Sequence, residues 1–99
     1  MLFGVTGKNP HEVRADVERL LGVVLDERES DFHGGVYFKG RNGMEEILIK
    51  RNLDLCDNAP AETKFPDYPV LVYVDGTSRE AEIRSAFGGI HGSEFLRAG

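Results

Sequence analysis

The sequence has a single cysteine, Cys56, and this scarcity excludes two kinds of site. A lone cysteine cannot form a disulfide within the chain, and it cannot supply the set of thiolates that structural zinc sites use. We therefore expect no disulfide and no metal site. A reducing, cytoplasmic location fits this pattern of cysteine use.

Long apolar runs are also missing. No stretch approaches the length of a membrane span, and the first residues, MLFGVTGKNP, lack the basic region and long apolar run of a signal peptide. The sequence therefore predicts a protein with no signal peptide and no membrane partner.

Basic residues are outnumbered: 12 Lys and Arg stand against 17 Asp and Glu, which gives a formal net charge of -5. A domain that follows a phosphate backbone needs a basic face, so the sequence predicts no nucleic-acid partner. The acidic excess has two interpretations. It can serve solubility alone, or it can attract a basic protein and speed its association.

The residues that are present suit one small globular domain spanning 1–99, with 40% hydrophobic and 29% charged residues. Hydrophobic periodicity and capping signals predict eight elements. They are strand 2–6, helix 10–21, strands 23–28, 36–39, 44–51 and 70–74, a helix led by a capping box at 77–80 and ended by Gly88 and Gly89, and strand 92–97. The order β-α-β-β-β-β-α-β predicts an α+β two-layer sandwich, in which two helices cover one face of a mostly antiparallel sheet.

Three local signals support these boundaries. Asn9 and Glu12 have the spacing of a capping box around Pro10, and Gly22 is a plausible helix stop. Asn42-Gly43 is the strongest hairpin signal, because both residues tolerate positive φ. Residues 52–68 show no periodicity, and a connection of this length is often functional or covers a sheet edge.

The three histidines, His11, His33 and His91, lie in different predicted elements, and none has a partner at ligand spacing. His33 alone has acidic neighbours, and Asp31 could orient it as a base. No motif marks a nucleophile beside this pair. We therefore predict no catalytic residue, no cofactor and no enzymatic activity, while an enzyme that uses His33 with Asp31 remains an alternative.

Acidic residues form two clusters, one around Arg28 and one around Lys64. The clusters are Asp26, Glu27, Glu29 and Asp31, and Asp54, Asp57, Glu62 and Asp67. Aromatic residues adjoin the first cluster: Phe32, Tyr37 and Phe38. Acids with neighbouring aromatics suit a protein-binding site, because charges steer a partner and aromatics supply buried contact area. The alternative is a solvated face with one aromatic side chain in the core.

Three segments carry a resemblance to a known group of proteins. They are RESDFHGGVY at 28–37, EILI at 46–49 with Asn52, and FPDYPVLVYV at 65–74. In these the chain resembles the small bacterial immunity proteins of polymorphic or contact-dependent toxin systems. The resemblance implies a non-enzymatic inhibitor that binds a cognate toxin domain and blocks its active site or an essential surface. Nuclease toxins are commonly basic, so an acidic inhibitor can imitate the phosphates that they bind.

The resemblance supplies no set of contact residues, so the candidate partner-binding residues are chosen by charge and expected exposure. They are Glu29, Asp31, Phe32 and Tyr37 first, and Asp57 and Asp67 second. A different hypothesis is a small regulatory domain that binds a ligand between the sheet and loop 52–68. The free protein is expected to be a monomer or a homodimer formed through an exposed strand edge.

Overall fold

The structure is a computed structural model that describes residues 1–99. Its elements are β1 (Leu2–Val5), α1 (Pro10–Leu21), β2 (Asp26–Ser30), a 3₁₀ turn (Asp31–His33), β3 (Gly35–Asn42), β4 (Glu45–Arg51), β5 (Val70–Asp75), α2 (Glu80–Phe87) and β6 (Ser93–Arg97). The predicted order of helices and strands is confirmed. Neither helix is long and apolar enough to cross a membrane.

The six strands form one sheet in the order β2-β3-β4-β5-β1-β6, and every neighbouring pair is antiparallel. The predicted α+β fold with an antiparallel sheet is therefore confirmed. β5 lies between β4 and β1 and is apolar on both faces, as expected of a central strand. β2 and β6 are the two edges.

One face of the sheet packs against both helices. Alternate residues of the strands point to this face and meet the apolar stripe of α1 and the buried side chains of α2. The shared core includes Phe3, Val5, Phe38, Ile47, Ile49, Val70, Val72 and Val74 of the sheet, with Val13, Val17, Ile83 and Phe87 of the helices. The rings of Phe3 and Phe87 stack at 3.9 Å. This apolar layer fixes which strand residues face the other side, here called the outer face.

The outer face is partly covered by the connection 52–68. This segment contains no helix or strand, as predicted, and only an isolated bridge between Asp54 and Ala59. Its Tyr68 lies against β1, where a Cβ on Gly4 would stand 2.4 Å from the tyrosine ring. Gly4 therefore admits the ring, and the hydroxyl of Tyr68 hydrogen-bonds to Glu94 of β6.

The second strand begins later than predicted, at Asp26 rather than residue 23. Two side chains of α1 hydrogen-bond to the backbone of Leu25. Glu18 accepts its N–H at 2.8 Å, and Arg14 donates to its carbonyl at 2.7 Å. Leu25 itself is fully buried in the core. These contacts hold it to the helix instead of the sheet, so the predicted strand 23–28 is shifted to 26–30.

The first predicted capping box is confirmed, and the predicted hairpin turn needs correction. Asn9 and Glu12 form the expected capping box, with hydrogen bonds of 2.9 and 3.0 Å. The hairpin turn is one residue later than expected, because Asn42 pairs with Glu45 and leaves Gly43 and Met44 at the corner. Gly43 has a φ of 65°, which suits the first central position of a type II′ turn.

The second predicted capping box, at 77–80, is wrong. α2 begins at Glu80 with Arg79 as its N-cap, and no side chain caps it. The hydroxyl of Thr77 donates instead to Glu45 at 2.7 Å and accepts the N–H of Arg79. Arg79 binds the same carboxylate through two nitrogens, at 3.0 and 2.8 Å. Thr77 and Arg79 therefore bind the buried Glu45 carboxylate, and Thr77 does not cap α2 as the sequence pattern predicted.

The Glu45–Arg79 pair fastens the start of β4 to the start of α2. Glu45 is only 5% exposed. Its hydrogen bonds with the Arg79 guanidinium hold the pKa of this carboxyl below its ordinary value. A buried carboxylate that loses its cation keeps the desolvation cost without compensation.

We expect Arg79→Ala to lower the free energy of unfolding by about 2 kcal/mol, measured by urea denaturation at pH 7. Arg41→Ala is the matched control, because Arg41 binds Glu46 at 2.9 Å on the exposed surface. The control should change stability by less than about 0.5 kcal/mol. Equal losses in the two variants would contradict a special role for the buried pair.

The same pair gives a pH dependence. Because the folded-state pKa of Glu45 is lowered, its stabilisation is present above the ordinary carboxyl value of 4.5 and is lost as pH falls through the lowered pKa. Arg79→Ala should flatten this acid limb of the stability curve.

Candidate functional site

A cleft of about 270 Å³ lies on the outer face of the sheet. It is lined by His33, Glu46, Leu48, Lys50, Tyr73 and Asp75. Leu48 and Tyr73 are direct partners in the β4–β5 ladder, and Glu46 and Asp75 form the next pair on the same face. Strand alternation therefore builds the floor, since the intervening Ile47 and Ile49 point into the core.

The 3₁₀ turn brings His33 over this floor. Ser30 begins the turn by accepting the N–H of Phe32 at 3.2 Å. Gly34 and Gly35 follow with φ of 78° and 99°, a conformation that favours glycine and turns the chain into β3. A Cβ on Gly34 would lie 2.7 Å from the carbonyl oxygen of Leu53, so only glycine permits the turn to sit against loop 52–68.

Lys50 is the most unusual residue of the cleft. It is 7% exposed, takes part in no salt bridge, and makes one long hydrogen bond, from Nζ to the carbonyl of Phe32 at 3.4 Å. Burial lowers the pKa of its ammonium, while the charges of Asp54 and Glu62 act in the opposite direction. An ammonium with three donors thus has little compensation for leaving water.

His33 shares this environment. Its ring packs at 4.3 Å against the ring of Tyr37, and its Nδ1 is buried with no hydrogen-bond partner. Burial first, and then the charges of Lys50 and Lys39, hold the pKa of His33 below 6.5. The imidazole is therefore mainly neutral at pH 7. Asp31 makes no hydrogen bond or salt bridge with it, so the structure does not form the acid–base pair considered as an alternative.

Glu62 anchors loop 52–68 to Tyr73, one of the residues that line the cleft. Its carboxylate accepts the Tyr73 hydroxyl at 2.7 Å and two bonds from Arg97, at 2.9 and 3.2 Å. The Arg97 contact lowers the pKa of Glu62, and burial together with the Glu62 contact raises the pKa of Tyr73. Asn52 adds two bonds within the loop, to the carbonyl of Phe65 and from the N–H of Glu62.

A second feature lies on the outside of the 3₁₀ turn, and we call it the acidic rim: Glu29, Asp31 and Phe32. Phe32 is 77% exposed, whereas its neighbour in the predicted cluster, Phe38, is fully buried. Glu29 and Asp31 are exposed and enter no salt bridge or side-chain hydrogen bond. Phe32 thus fits the interpretation as a protein-binding residue, and Phe38 fits the alternative of an aromatic side chain in the core.

The remaining predicted partner residues are distributed around this rim. Asp57 is exposed in the turn 54–59, which directly follows Leu53, the residue whose carbonyl would clash with a Cβ on Gly34. Tyr37 pairs with Arg28 and so faces the outer face, whereas Glu29 pairs with Val36 and faces the helix side. The pairing therefore separates Tyr37 from Glu29.

Asp67 is the most distant of the six predicted residues. It precedes Tyr68, which lies against β1. β1 is four strands away from β2, about 19 Å at the usual strand spacing of ~4.8 Å. The structure thus brings four of the six close to the 3₁₀ turn in two orientations, places Asp57 in the adjoining part of loop 52–68, and leaves Asp67 at the other end of that loop.

Lys50 and Tyr73 were missed as site residues by sequence reasoning. The available signal was the alternation in β4, where Glu46, Leu48 and Lys50 share one face. The position of Lys50 beneath the 3₁₀ turn depends on the fold of two distant segments, which the strand pattern alone does not show.

Comparison of the chain with protein-family models, with curated proteins and with solved structures gives no significant match. No group of three or more His, Cys, Asp or Glu side chains is placed to hold a metal ion. The function must therefore be argued from the cleft and the acidic rim.

We expect Lys50→Met to raise the pKa of His33, because it removes a cation that disfavours the imidazolium. An NMR pH titration of the ring measures this directly. Lys64→Met is the control: it removes an exposed lysine that does not act on His33, and it should leave the titration unchanged. A lower or unchanged His33 pKa in Lys50→Met would contradict the electrostatic coupling.

The lowered pKa of His33 also makes the stability of the fold depend on pH. Because folding lowers the pKa of His33, the unfolded chain takes up a proton first as pH falls below about 6.5, and the free energy of unfolding decreases. Lys50→Met should reduce that loss.

We expect Glu62→Ala to lower stability by about 1–2 kcal/mol and to loosen loop 52–68, because Tyr73 and Arg97 lose their shared acceptor. Hydrogen exchange should quicken at the amides of Asn52 and Phe65, which bond Pro69 and Glu62 carbonyls. Asp67→Ala, in the same loop but without a partner, is the control. Unchanged exchange in Glu62→Ala would show that other contacts hold the loop.

Proposed function

We propose that this protein is a non-enzymatic inhibitor that binds a basic protein through its acidic rim, and that this partner is the toxin domain of a polymorphic or contact-dependent toxin system. The observation that carries the proposal is the exposure of Phe32 directly after Asp31 and three residues after Glu29, two exposed acids that enter no salt bridge. The resemblance of the sequence to small bacterial immunity proteins supports the class of partner.

In this proposal the acids govern association with the toxin domain, and Phe32 governs dissociation. The unpaired carboxylates attract Lys and Arg side chains over a distance and orient the approaching toxin domain. Phe32 then enters an apolar pocket, and its burial slows dissociation. The acids lose no partner within the chain on binding, because they have none in the free protein.

The neighbouring residues have supporting roles. Tyr37 packs behind the 3₁₀ turn, through the His33 ring, and holds the rim in position. Asp57, in the adjoining loop, extends the negative surface. Asp67 is four strands from β2 and contributes least. The protein acts in the cytoplasm of the toxin-producing cell, where the toxin domain must be neutralised and where Cys56 stays reduced.

The first test is genetic and biochemical. The gene immediately upstream is expected to encode a large secreted protein with a variable C-terminal domain. That domain should co-purify with this protein, and co-expression should restore the growth of cells that the domain inhibits. A C-terminal domain that neither binds nor is neutralised would overturn the proposal.

Variants then locate the surface. Phe32→Ala should weaken binding about tenfold or more, chiefly through faster dissociation. The double variant Glu29→Lys with Asp31→Lys should slow association, and the effect should shrink as salt is raised. Surface plasmon resonance at two salt concentrations measures both.

Each change has a matched control. Met44→Ala removes another exposed apolar side chain, 85% exposed at the β3–β4 turn. Glu80→Lys with Glu82→Lys makes the same charge change on α2. Both controls should bind within about twofold of the unaltered protein. If the Glu29/Asp31 reversal binds as well as the α2 reversal, the rim is not the contact surface.

A further inference from the structure

The cleft holds a buried cation that no carboxylate contacts directly. Lys50 is 7% exposed, has no salt bridge, and meets one carbonyl at the long distance of 3.4 Å. Asp54 and Glu62 act on this ammonium only at a distance, so its burial still lowers stability, and an apolar side chain of similar length would fit the same strand position. Residues that reduce stability in this way are common where a site must bind a ligand.

A neutral donor stands beside this cation. His33 also lines the cleft, and its Nδ1 is buried without a partner. The ammonium, with its single long hydrogen bond, therefore stands at the end of the cleft that the imidazole also lines. A carboxylate placed there would accept charge-assisted hydrogen bonds from Lys50 and would oppose its positive charge.

The other end of the cleft has the opposite charge. Glu46 and Asp75 pair across β4 and β5, four residues along β4 from Lys50. Glu46 is already bound by Lys39 and Arg41, at 3.6 and 2.9 Å, whereas Asp75 has no partner. Four residues of strand span about 13 Å between the backbones of Lys50 and Glu46, and the distance between their charged groups is smaller when the side chains lean toward each other. The free negative charge at this end disfavours a second anionic group.

The floor between the two ends is apolar. Leu48 and the ring of Tyr73 lie side by side across the β4–β5 ladder. The Tyr73 hydroxyl is turned to Glu62 and is not available to a ligand. A volume of about 270 Å³ suits a molecule with a single ring or a short aliphatic chain.

We propose that this cleft binds a small carboxylic acid whose far end is neutral or cationic. The carboxylate lies at Lys50 and His33, the apolar body packs on Leu48 and Tyr73, and the far end points toward Asp75. This site is separate from the acidic rim, which lies on the outside of the same 3₁₀ turn, and it does not rest on the proposed inhibitor function.

A series of probes on one ring tests each part of the proposal. Benzoate supplies the carboxylate, benzamide removes its charge, 4-(aminomethyl)benzoate adds a cationic far end, and terephthalate adds an anionic one. Binding is measured by chemical-shift changes at the amides of Leu48, Lys50 and Tyr73 in ¹⁵N-labelled protein. We expect benzamide to bind at least tenfold more weakly than benzoate, because it loses the charge-assisted bonds.

The far end is tested with the other two probes. 4-(Aminomethyl)benzoate should bind severalfold more tightly than benzoate, and terephthalate severalfold more weakly. Asp75→Asn should reduce both differences, because it removes the unpaired charge at that end. Unchanged differences in Asp75→Asn would overturn the placement of the ligand.

Two lysine variants locate the carboxylate. Lys50→Met should weaken benzoate at least tenfold without lowering thermal stability, since the side chain keeps its length and loses a buried charge. Lys64→Met, at an exposed lysine of loop 52–68 that does not line the cleft, should bind benzoate within about twofold of the unaltered protein. Equal benzoate binding by Lys50→Met and the unaltered protein would overturn the proposal.

The comparison of benzoate with benzamide uses the unaltered chain, so it decides the proposal independently of how the variants fold. Equal binding of the two probes, or no change in the cleft amides with any probe, overturns it. Neither result affects the inhibitor proposal, because toxin binding is measured on the acidic rim.

Discussion

The hydrogen bonds of the Glu62 carboxylate hold loop 52–68 on the outer face of the sheet. Loop 52–68 has no helix or strand to hold it, and Glu62 ties it to β5 through Tyr73 and to β6 through Arg97. The bidentate contact with Arg97 fixes the direction of the loop as well as its position. Without it, the loop would lose its tie to β5 and β6, and Tyr73 would lose the acceptor that turns its hydroxyl away from the floor of the cleft.

The two faces of the sheet follow different rules. The helix face is an apolar layer in which Phe3, Phe38 and Phe87 fill the space between strands and helices. The outer face combines leucines with charged and aromatic residues, and its polar groups are satisfied only in part. Its Lys50 and the Nδ1 of His33 lack full hydrogen bonding, while Glu46 and Glu62 are well paired. Unsatisfied groups thus collect at one place, beneath the 3₁₀ turn.

Sequence patterns predicted the fold well because the signals were local. The capping box of Asn9 and Glu12 and the 3.6-residue spacing of Val13 and Val17 are properties of one helix. Two of the errors, at strand 23–28 and at the second capping box, came where distant groups compete for the backbone or the side chain. Leu25 is held by Glu18 and Arg14 of α1, and Thr77 is taken by Glu45 of β4. Neither contact is visible in a window of neighbouring residues.

The candidate site was harder to predict for the same reason. The exposure of Phe32 agrees with the pattern, but the separation of Glu29 from Tyr37 follows from their register against β3. The cleft depends on the convergence of β4, β5 and the 3₁₀ turn, so its lysine looked like an ordinary surface residue of a strand.

The composition of β2, Asp-Glu-Arg-Glu-Ser, has a consequence for self-assembly. This strand is an edge, and its free backbone groups could pair with another strand. Two copies of β2 laid side by side would bring several carboxylates together with one arginine from each copy, and opposed like charges destabilise a ladder. The edge therefore resists pairing with itself, which protects the sheet against growing into a fibril while leaving its charged surface in water.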